Sequence, residues 1–236
     1  MPWDQIGPEF IELWGYPGGK RMPEHLEILG PNGSGKTYAQ DVILMMRAAA
    51  RESSIVLLST KPKDESLDDL VYPDGKPWKT ITHWPPPYGV DQVIFAARAK
   101  GLSTAARAEQ RRKVMDLLNE IWVKDSNRIF VLDEIGYLQQ ELNLRTHLNT
   151  MYREARALGL TLVSNTQRPV GTTRYMHSES PWKLAFRPED EDDARRVAEI
   201  LGNRRGYVDV LMNLDAPAHE FLMLYSKTGQ AVITHV

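Results

Sequence analysis

The chain has 236 residues, a formal net charge of −2, 42% hydrophobic residues and 25% charged residues. These ordinary values exclude the disordered and fibrous classes, and the length favours a single core. The chain contains no cysteine, which excludes disulfides and cysteine-ligated metals, and no apolar stretch approaches the roughly 18–20 residues of a membrane span. We therefore expect a soluble, cytoplasmic protein without a membrane partner, on which any nucleic-acid-binding surface is local.

Residues 1–25 contain the stretch GYPGGKRMP, and we expect an irregular N-terminal arm before a globular domain at 26–236. Within the domain, short apolar runs predict strands at 25–30, 53–60, 79–84, 127–134, 158–167 and 181–186. Helical periodicity predicts helices at 37–52, on both sides of Gly101, at 144–155 and at 191–201. Three further strands are predicted at 207–214, 220–225 and 230–236. This alternation is typical of an α/β fold, with a mostly parallel central sheet and helices on both faces.

The segment GPNGSGKT fits the G-x-x-x-x-G-K-[ST] pattern of a phosphate-binding loop, the Walker A motif. It lies between a predicted strand and a predicted helix, and this context weighs against an incidental glycine-rich turn. Lys36 would bridge the β- and γ-phosphates, the Thr37 hydroxyl would bind Mg²⁺, and the helix N-terminus would favour the same anion. We expect a nucleoside triphosphate to be bound by Gly30, Pro31, Asn32, Gly33, Ser34, Gly35, Lys36, Thr37 and Tyr38.

The segment RIFVLDE supplies a partner motif, Walker B, at the end of a buried strand. Asp133 would hold magnesium directly or through water, and Glu134 could polarise the attacking water as a general base. A solvated turn is the alternative, but the apolar run and the upstream Walker A loop weigh against it. A glutamate beside the Walker B aspartate resembles the additional-strand, catalytic-glutamate branch of P-loop NTPases. That resemblance implies an extra strand between the two Walker strands, for which 53–60 and 79–84 are available.

The predicted strand at 158–167 ends in the polar cluster SNTQ, followed by Arg168 and Pro169. Because this strand should adjoin the Walker B strand, its polar end would reach the γ-phosphate or the attacking water. The alternative is that polar residues simply cap a buried strand. The sequence GLTLVSNTQRP resembles the segment of the FtsK–HerA superfamily of DNA-pumping ATPases in which a strand ends in a T-Q-R-P-like sequence. In that family the glutamine senses the γ-phosphate, which implies this role for Gln167.

The resemblance spans roughly residues 25–225, and it implies a RecA-like core that hydrolyses ATP with Mg²⁺ to move double-stranded DNA. It also implies a homo-oligomeric ring, a hexamer or a pentamer, with ATP sites at the subunit interfaces. A motor-only chain of this size is most similar to the viral and phage packaging ATPases of the superfamily. That similarity adds a capsid portal or vertex protein as a partner, and the host cytoplasm or the virion as the location. The alternatives are a conjugative or chromosome-segregation pump, or a phage-assembly ATPase acting on protein.

The resemblance also singles out an arginine that would act on the γ-phosphate of the neighbouring subunit. Arg156, before the sequence ALGL, matches best, and Arg153 is the second candidate. A solvated helical face is the alternative for both arginines. Asp193 and Arg195 fall where family members carry an acidic–basic pair, although a surface ion-pair cluster explains them equally well.

The stretch RAKGLSTAARAEQRRK at 98–113 holds six basic residues against one acid, Glu109. They could contact DNA phosphates in the pore of a ring, or they could form the charged exterior of a helix. Lys61 and Lys63 are a further possibility, where the family tends towards Asp-Pro-Lys and this chain departs from it. The six basic residues of the stretch are Arg98, Lys100, Arg107, Arg111, Arg112 and Lys113.

Overall fold

A computed structural model describes residues 2–15, 24–50, 54–61, 65–167 and 171–236. One nine-stranded sheet lies at its centre. In chain order the strands are β1 (Leu26–Leu29), β2 (Ser54–Ser59), β3 (Lys79–Ile81), β4 (Gln92–Ala96), β5 (Arg128–Leu132), β6 (Thr161–Thr166), β7 (Trp182–Phe186), β8 (Phe221–Tyr225) and β9 (Gln230–Thr234).

The spatial order of the strands is β3-β4-β2-β5-β6-β1-β7-β8-β9. The strands from β3 to β7 in that order run parallel, whereas β8 and β9 continue the sheet as antiparallel strands. β2 and β5 are short apolar runs that are buried on both faces, as expected where helices cover both sides of a parallel sheet. The carboxyl ends of the parallel strands therefore meet at one edge, the edge at which open α/β sheets bind ligands.

The α-helices of the described chain are α1 (Trp3–Gly15), α2 (Lys36–Ala50), α3 (Thr104–Ile121), α4 (Ile135–Gln140), α5 (Arg145–Glu154), α6 (Arg174–Glu179), α7 (Glu191–Ile200) and α8 (Tyr207–Met212). α1 and α2 share a hydrophobic cluster with one face of the sheet, and α3, α4 and α5 share another with the opposite face. α7 and α8 pack in a third cluster against β1, β7 and β8. The alternation is visible along β5, where Ile129 and Val131 face the first cluster and Phe130 and Leu132 face the second.

The N-terminal segment differs from the irregular arm that we expect from its composition. Trp3–Gly15 is helical, and Phe10 and Trp14 are 2% and 1% exposed within the core cluster. Burial of these aromatic side chains outweighs the cost of Pro8, which lies inside the helix. The glycine-rich stretch that suggested an arm lies at 16–23, outside the described residues. A domain boundary at residue 25 stays a prediction.

Two other predicted elements are wrong, because short apolar runs do not distinguish a strand from a helix. Residues 92–96 form β4 where we expect a helix before Gly101, and residues 207–212 form α8 where we expect a strand. The strand between β1 and β5 is β6, and not β2 or β3 as the resemblance led us to expect. The predicted pairing of β6 with the Walker B strand β5 is confirmed. Among the described residues, no helix is long and apolar enough to cross a membrane.

Candidate functional site

The Walker A loop joins β1 to α2 at the carboxyl edge of the sheet. Gly33 and Gly35 adopt backbone φ angles of 73° and 95°, which favour glycine. A Cβ atom on Gly35 would lie 3.0 Å from the side chain of His219, whereas no described atom lies within 4 Å of such an atom on Gly33. The Gly30 N–H donates to the Thr166 carbonyl oxygen at 3.3 Å, which ties the loop to β6. The loop thus turns tightly and leaves open space beside Gly33 for an anion.

Lys36, the first residue of α2, is 8% exposed, and its Nζ donates to the Pro31 carbonyl oxygen at 2.6 Å. Burial lowers the pKa of Lys36 to about 8, although the carboxylates of Glu134 and Asp133 oppose the shift. A largely desolvated ammonium group gains more from an anionic ligand than an exposed one does. The position and the burial of Lys36 therefore suit the binding of a phosphate group.

Asp133 and Glu134 follow β5 directly and reach the same edge of the sheet. Asp133 is 6% exposed, and Glu134 has a φ angle of 59° at the start of α4, a conformation uncommon for a residue other than glycine. Burial raises the pKa of Glu134, and the charge of Asp133 adds to the rise, while Lys36 and Lys61 oppose it. A raised pKa makes the Glu134 carboxylate a better proton acceptor for an attacking water.

One cavity of about 300 Å³ brings the two motifs together. Its Walker A residues are Asn32, Gly33, Gly35, Lys36, Thr37 and Tyr38. Its other lining residues come from distant parts of the chain and are Lys61, Asp133, Glu134, Asn165, Gln167 and His219. Gly30 and Pro31 line a second cavity of about 230 Å³, which shares Asn32 and Gln167 with the first.

The two side chains expected to bind magnesium, Thr37 and Asp133, line the same cavity. No cluster of three or more histidine, cysteine, aspartate or glutamate residues that could hold a metal occurs in the part of the chain that the structure describes. Mg²⁺ commonly takes only one or two protein oxygens and completes its shell with water and substrate phosphates. A hydroxyl and a carboxylate beside a phosphate-binding loop therefore fit a nucleotide-bound magnesium ion.

The polar end of β6 divides between the core and the cavity. Asn165 is 3% exposed, lines the cavity, and donates from Nδ2 to Gln40 Oε1 on α2 at 2.9 Å. Thr166 is 1% exposed and holds the Walker A loop through its carbonyl oxygen. Gln167 lines both cavities, beside the Walker A loop in each. The predicted strand-terminating role of Pro169 falls in 168–170, outside the described residues.

The two candidate arginines lie away from the cavity of their own chain. Arg156 lies in a short 3-10 helix, Ala155–Leu158, that precedes β6. Burial is the main cause that lowers the pKa of His25, the residue directly before β1, and the charge of Arg156 lowers that pKa further. Arg156 therefore lies at the amino edge of the sheet, roughly 20 Å of strand length from the Walker A loop. Arg153 stacks on the ring of Tyr175 at 5.4 Å from its centroid. Neither arginine lines the cavity that holds Lys36.

The basic residues at 98–113 are mostly paired within the protein. Arg112 pairs with Asp116 at 3.0 Å and Lys113 with Glu109 at 2.9 Å, both along α3. Arg111 Nε donates to the Leu142 carbonyl oxygen at 3.1 Å, and Arg107 contacts Tyr137. Arg98 and Lys100 are exposed before the helix. These contacts involve four of the six basic residues and fit the alternative, the charged exterior of a helix, while DNA contact by this stretch stays a prediction.

One residue of the site, His219, has no clear sequence signal. His219, in the loop before β8, lies on the Walker A loop, with Nδ1 3.1 Å from the Ser34 carbonyl oxygen. An isolated histidine far along the chain does not reveal such a contact. Asp193 and Arg195, which the resemblance singles out, have different surroundings in the structure. Arg195 pairs with Glu191 at 2.6 Å and Asp192 at 2.7 Å, while Asp193 lines the second cavity.

A scan against protein-family models and a search of curated proteins return no match. Solved structures do match, at 12–15% sequence identity. B204, the DNA-packaging ATPase from Sulfolobus Turreted Icosahedral Virus, aligns with a TM-score of 0.64 and 12% identity over 91% of this chain and 98% of its own. VirB4 of Thermoanaerobacter pseudethanolicus aligns with a TM-score of 0.61 and 12% identity over 90% of this chain and 89% of its own.

The pCW3 conjugation coupling protein TcpA, solved as a monomer with ATPgS, aligns with a TM-score of 0.55 and 15% identity. The alignment covers 90% of this chain and 59% of TcpA. At such identities the likeness concerns the fold. It confirms the predicted fold class, a P-loop NTPase fold with a mostly parallel sheet, which is the fold that the resemblance to the FtsK–HerA superfamily implies.

Proposed function

We propose that this protein is an ATPase that translocates double-stranded DNA, as a ring-forming motor that packages a viral or phage genome. The observation that carries the ATPase proposal is the convergence of Lys36, Thr37, Asp133, Glu134 and Gln167 around one cavity. These residues come from the ends of two strands, β5 and β6, and the first turn of α2. The packaging proposal is supported by the fold that the chain shares with B204 over nearly the whole length of both chains.

In this proposal the side chains divide the work of hydrolysis. The Walker A backbone and Lys36 bind the phosphates, and Thr37 and Asp133 hold Mg²⁺, which would neutralise charge on the β- and γ-phosphate oxygens. Glu134 accepts a proton from the attacking water, and its raised pKa suits that task. Gln167 contacts the γ-phosphate or the water from the end of β6. The partners are double-stranded DNA and a portal or vertex protein, in the host cytoplasm or at the virion.

The position of Arg156 supports a ring, a hexamer or a pentamer, as the active form. Because Arg156 lies at the opposite edge of the sheet from its own cavity, it can reach a γ-phosphate only on a neighbouring subunit. Mixed rings test this idea: Lys36→Ala subunits, which lack turnover, are titrated into Arg156→Ala subunits. If Arg156 acts in trans, some mixed interfaces combine an intact Lys36 with an intact Arg156, and turnover returns. Full activity of Arg156→Ala alone would move the role to Arg153 or elsewhere.

A conjugative or chromosome-segregation DNA pump is the second candidate, and a P-loop ATPase that acts on protein assembly is the third. The similarity to TcpA, a conjugation coupling protein, and to VirB4 favours keeping both in view. The local chemistry of the cavity is the same in all three, so the cargo has to be decided by experiment.

Steady-state ATP turnover with and without duplex DNA tests the proposal. We expect turnover by the wild type to rise when duplex DNA longer than a subunit footprint is added, and to be absent in Lys36→Ala. Single-stranded DNA of the same length tests whether the stimulation requires a duplex. Duplexes of unrelated sequence test whether it depends on DNA sequence. If a sample that is shown to be assembled hydrolyses ATP and no DNA increases its turnover, the translocase proposal is rejected. The ATPase that acts on protein assembly then remains.

A further inference from the structure

Lys61 lies beside the catalytic carboxylates although it belongs to neither Walker motif. It stands two residues after β2, and β2 pairs with the Walker B strand β5. Its Nζ lies 2.9 Å from Asp133 Oδ2, and the two side chains are 41% and 9% exposed. Lys61 also lines the cavity that contains Lys36 and Gln167. A second ammonium group therefore faces the site proposed for the γ-phosphate.

The contact between Lys61 and Asp133 conflicts with the role proposed for Asp133. When the Asp133 carboxylate binds Mg²⁺, the charge of the metal neutralises the carboxylate and weakens its attraction for a nearby ammonium group. The lysine side chain is flexible and partly exposed, so it can leave Asp133 at little cost. An arriving nucleotide brings both the metal that replaces the lysine charge and the phosphate that attracts it.

The backbone next to Lys61 is fixed, which limits where the ammonium group can go. Gln110 on α3 is 1% exposed, and its Nε2 donates to the carbonyl oxygens of Thr60 at 3.0 Å and Ala97 at 2.7 Å. The carbonyl that precedes Lys61 is thereby held to α3 and to the end of β4. Displacement of Lys61 from Asp133 is thus a side-chain rotation within the cavity, not a movement of the strand end.

We propose that Lys61 is a second phosphate-binding cation, which neutralises Asp133 in the nucleotide-free protein and turns to the γ-phosphate when nucleotide-bound Mg²⁺ takes its place. This inference rests on the proposed nucleotide site. It names the class of ligand, a nucleoside triphosphate and not a diphosphate, to which Lys61 responds. Burial is the main cause that lowers the pKa of Lys36, and the charge of Lys61 lowers it further. Two ammonium groups that line one cavity are expected to have this effect on each other.

Binding of ATPγS and ADP to wild type and Lys61→Met, by isothermal titration calorimetry, tests the proposal. In saturating Mg²⁺, where Lys61 is proposed to contact the γ-phosphate, we expect Lys61→Met to bind ATPγS roughly tenfold more weakly, the effect of one lost charge-assisted hydrogen bond, and to bind ADP as the wild type does. In a Mg²⁺ titration of the ATPγS complex, the midpoint should fall to a lower Mg²⁺ concentration, because no lysine competes for Asp133. Lys61→Arg keeps the charge and should retain most of the preference for ATPγS.

Lys76→Met is the matched control, since Lys76 Nζ pairs with Asp74 at 2.6 Å on the surface, away from the cavity. It should leave both affinities and the Mg²⁺ midpoint unchanged. The ratio of the ATPγS affinity to the ADP affinity, measured on one preparation, does not depend on the fraction of protein that is folded. Equal affinities of Lys61→Met and wild type, or an equal loss for ATPγS and ADP, would overturn the role of Lys61. A wild type that binds neither nucleotide would instead reject the proposed function itself.

Discussion

The Tyr137 hydroxyl donates to Gln110 Oε1 at 2.6 Å and so joins α4, the helix that Glu134 begins, to α3. Since the Gln110 amide also holds the backbone at the ends of β2 and β4, one buried side chain connects three elements around the cavity. α3 carries most of the basic residues predicted to meet DNA, and its Gln110 lies one turn from Arg107 and next to Arg111. Hydrogen bonds of Gln110 therefore connect α3 to the elements around the cavity.

Replacement of Gln110 by leucine tests this linkage. The change leaves a tyrosine hydroxyl and two carbonyl groups without this partner, and we expect a loss of roughly 1–3 kcal/mol in the free energy of unfolding. Urea denaturation measures it. Tyr137→Phe removes one of the three bonds and should cost about 1 kcal/mol. If Gln110→Leu were as stable as the wild type, the network would not hold the strand ends.

Glu134→Gln should separate nucleotide binding from hydrolysis. The amide cannot accept a proton from water, so we expect the turnover number to fall by roughly 10²–10⁴-fold while the affinity for ATP is retained. Pre-steady-state and steady-state phosphate release, together with equilibrium binding, measure the two effects. Glu141→Gln, on the surface after α4, is a suitable control. Normal turnover in Glu134→Gln would refute a general-base role.

Gln167→Ala should reveal whether this residue responds to the γ-phosphate. Gln167 lines the same cavity as Lys36, but it does not belong to the Walker A loop, which is proposed to bind the other phosphates. We expect turnover to fall at least tenfold, with ADP affinity within twofold of the wild type. A parallel loss of ADP affinity would indicate that Gln167 merely supports the loop.

A buried ion cluster connects α6, the first helix after β6, to β1. Glu27 is fully buried and accepts from Lys183 Nζ at 2.9 Å, and its Oε1 lies 2.6 Å from His177 Nδ1. Burial alone would raise the pKa of Glu27, but the charges and hydrogen bonds of Lys183 and His177 outweigh it and lower the pKa to about 2. The cluster thus stabilises the folded protein only while Glu27 is ionised.

Glu27→Gln should destabilise the protein at pH 7 by roughly 3–5 kcal/mol, because Lys183 is left buried without its counter-charge. Since the folded pKa lies below the ordinary value of 4.5, the wild type gains this stability above pH 4.5 and loses it as the pH falls towards 2. The stability difference between the two proteins should therefore narrow on acidification. Thermal unfolding from pH 7 to 3 measures it, and a constant difference would contradict the assignment.

The phosphate-binding loop and the carboxylate pair could be predicted because each is contiguous. A phosphate cradle is made by consecutive backbone N–H groups, and Asp133 and Glu134 follow an unbroken apolar strand, so both motifs can be recognised without knowledge of the fold. The helices with a strong apolar stripe were predictable for the same local reason: Leu148 and Tyr152, one turn apart, are both buried.

Only the tertiary structure decided which distant residues share the cavity. Strand pairing depends on packing between segments far apart in sequence, so nothing local indicates that β6 inserts between β1 and β5. That order brings Asn165 to the Walker A loop, and the neighbouring pair of β2 with β5 brings Lys61 to Asp133. Short apolar runs such as 92–96 fit a helix or a strand equally well until burial on both faces selects one. The sequence by itself predicted the phosphate-binding loop and the carboxylate pair, and long-range packing determined the residues that surround them.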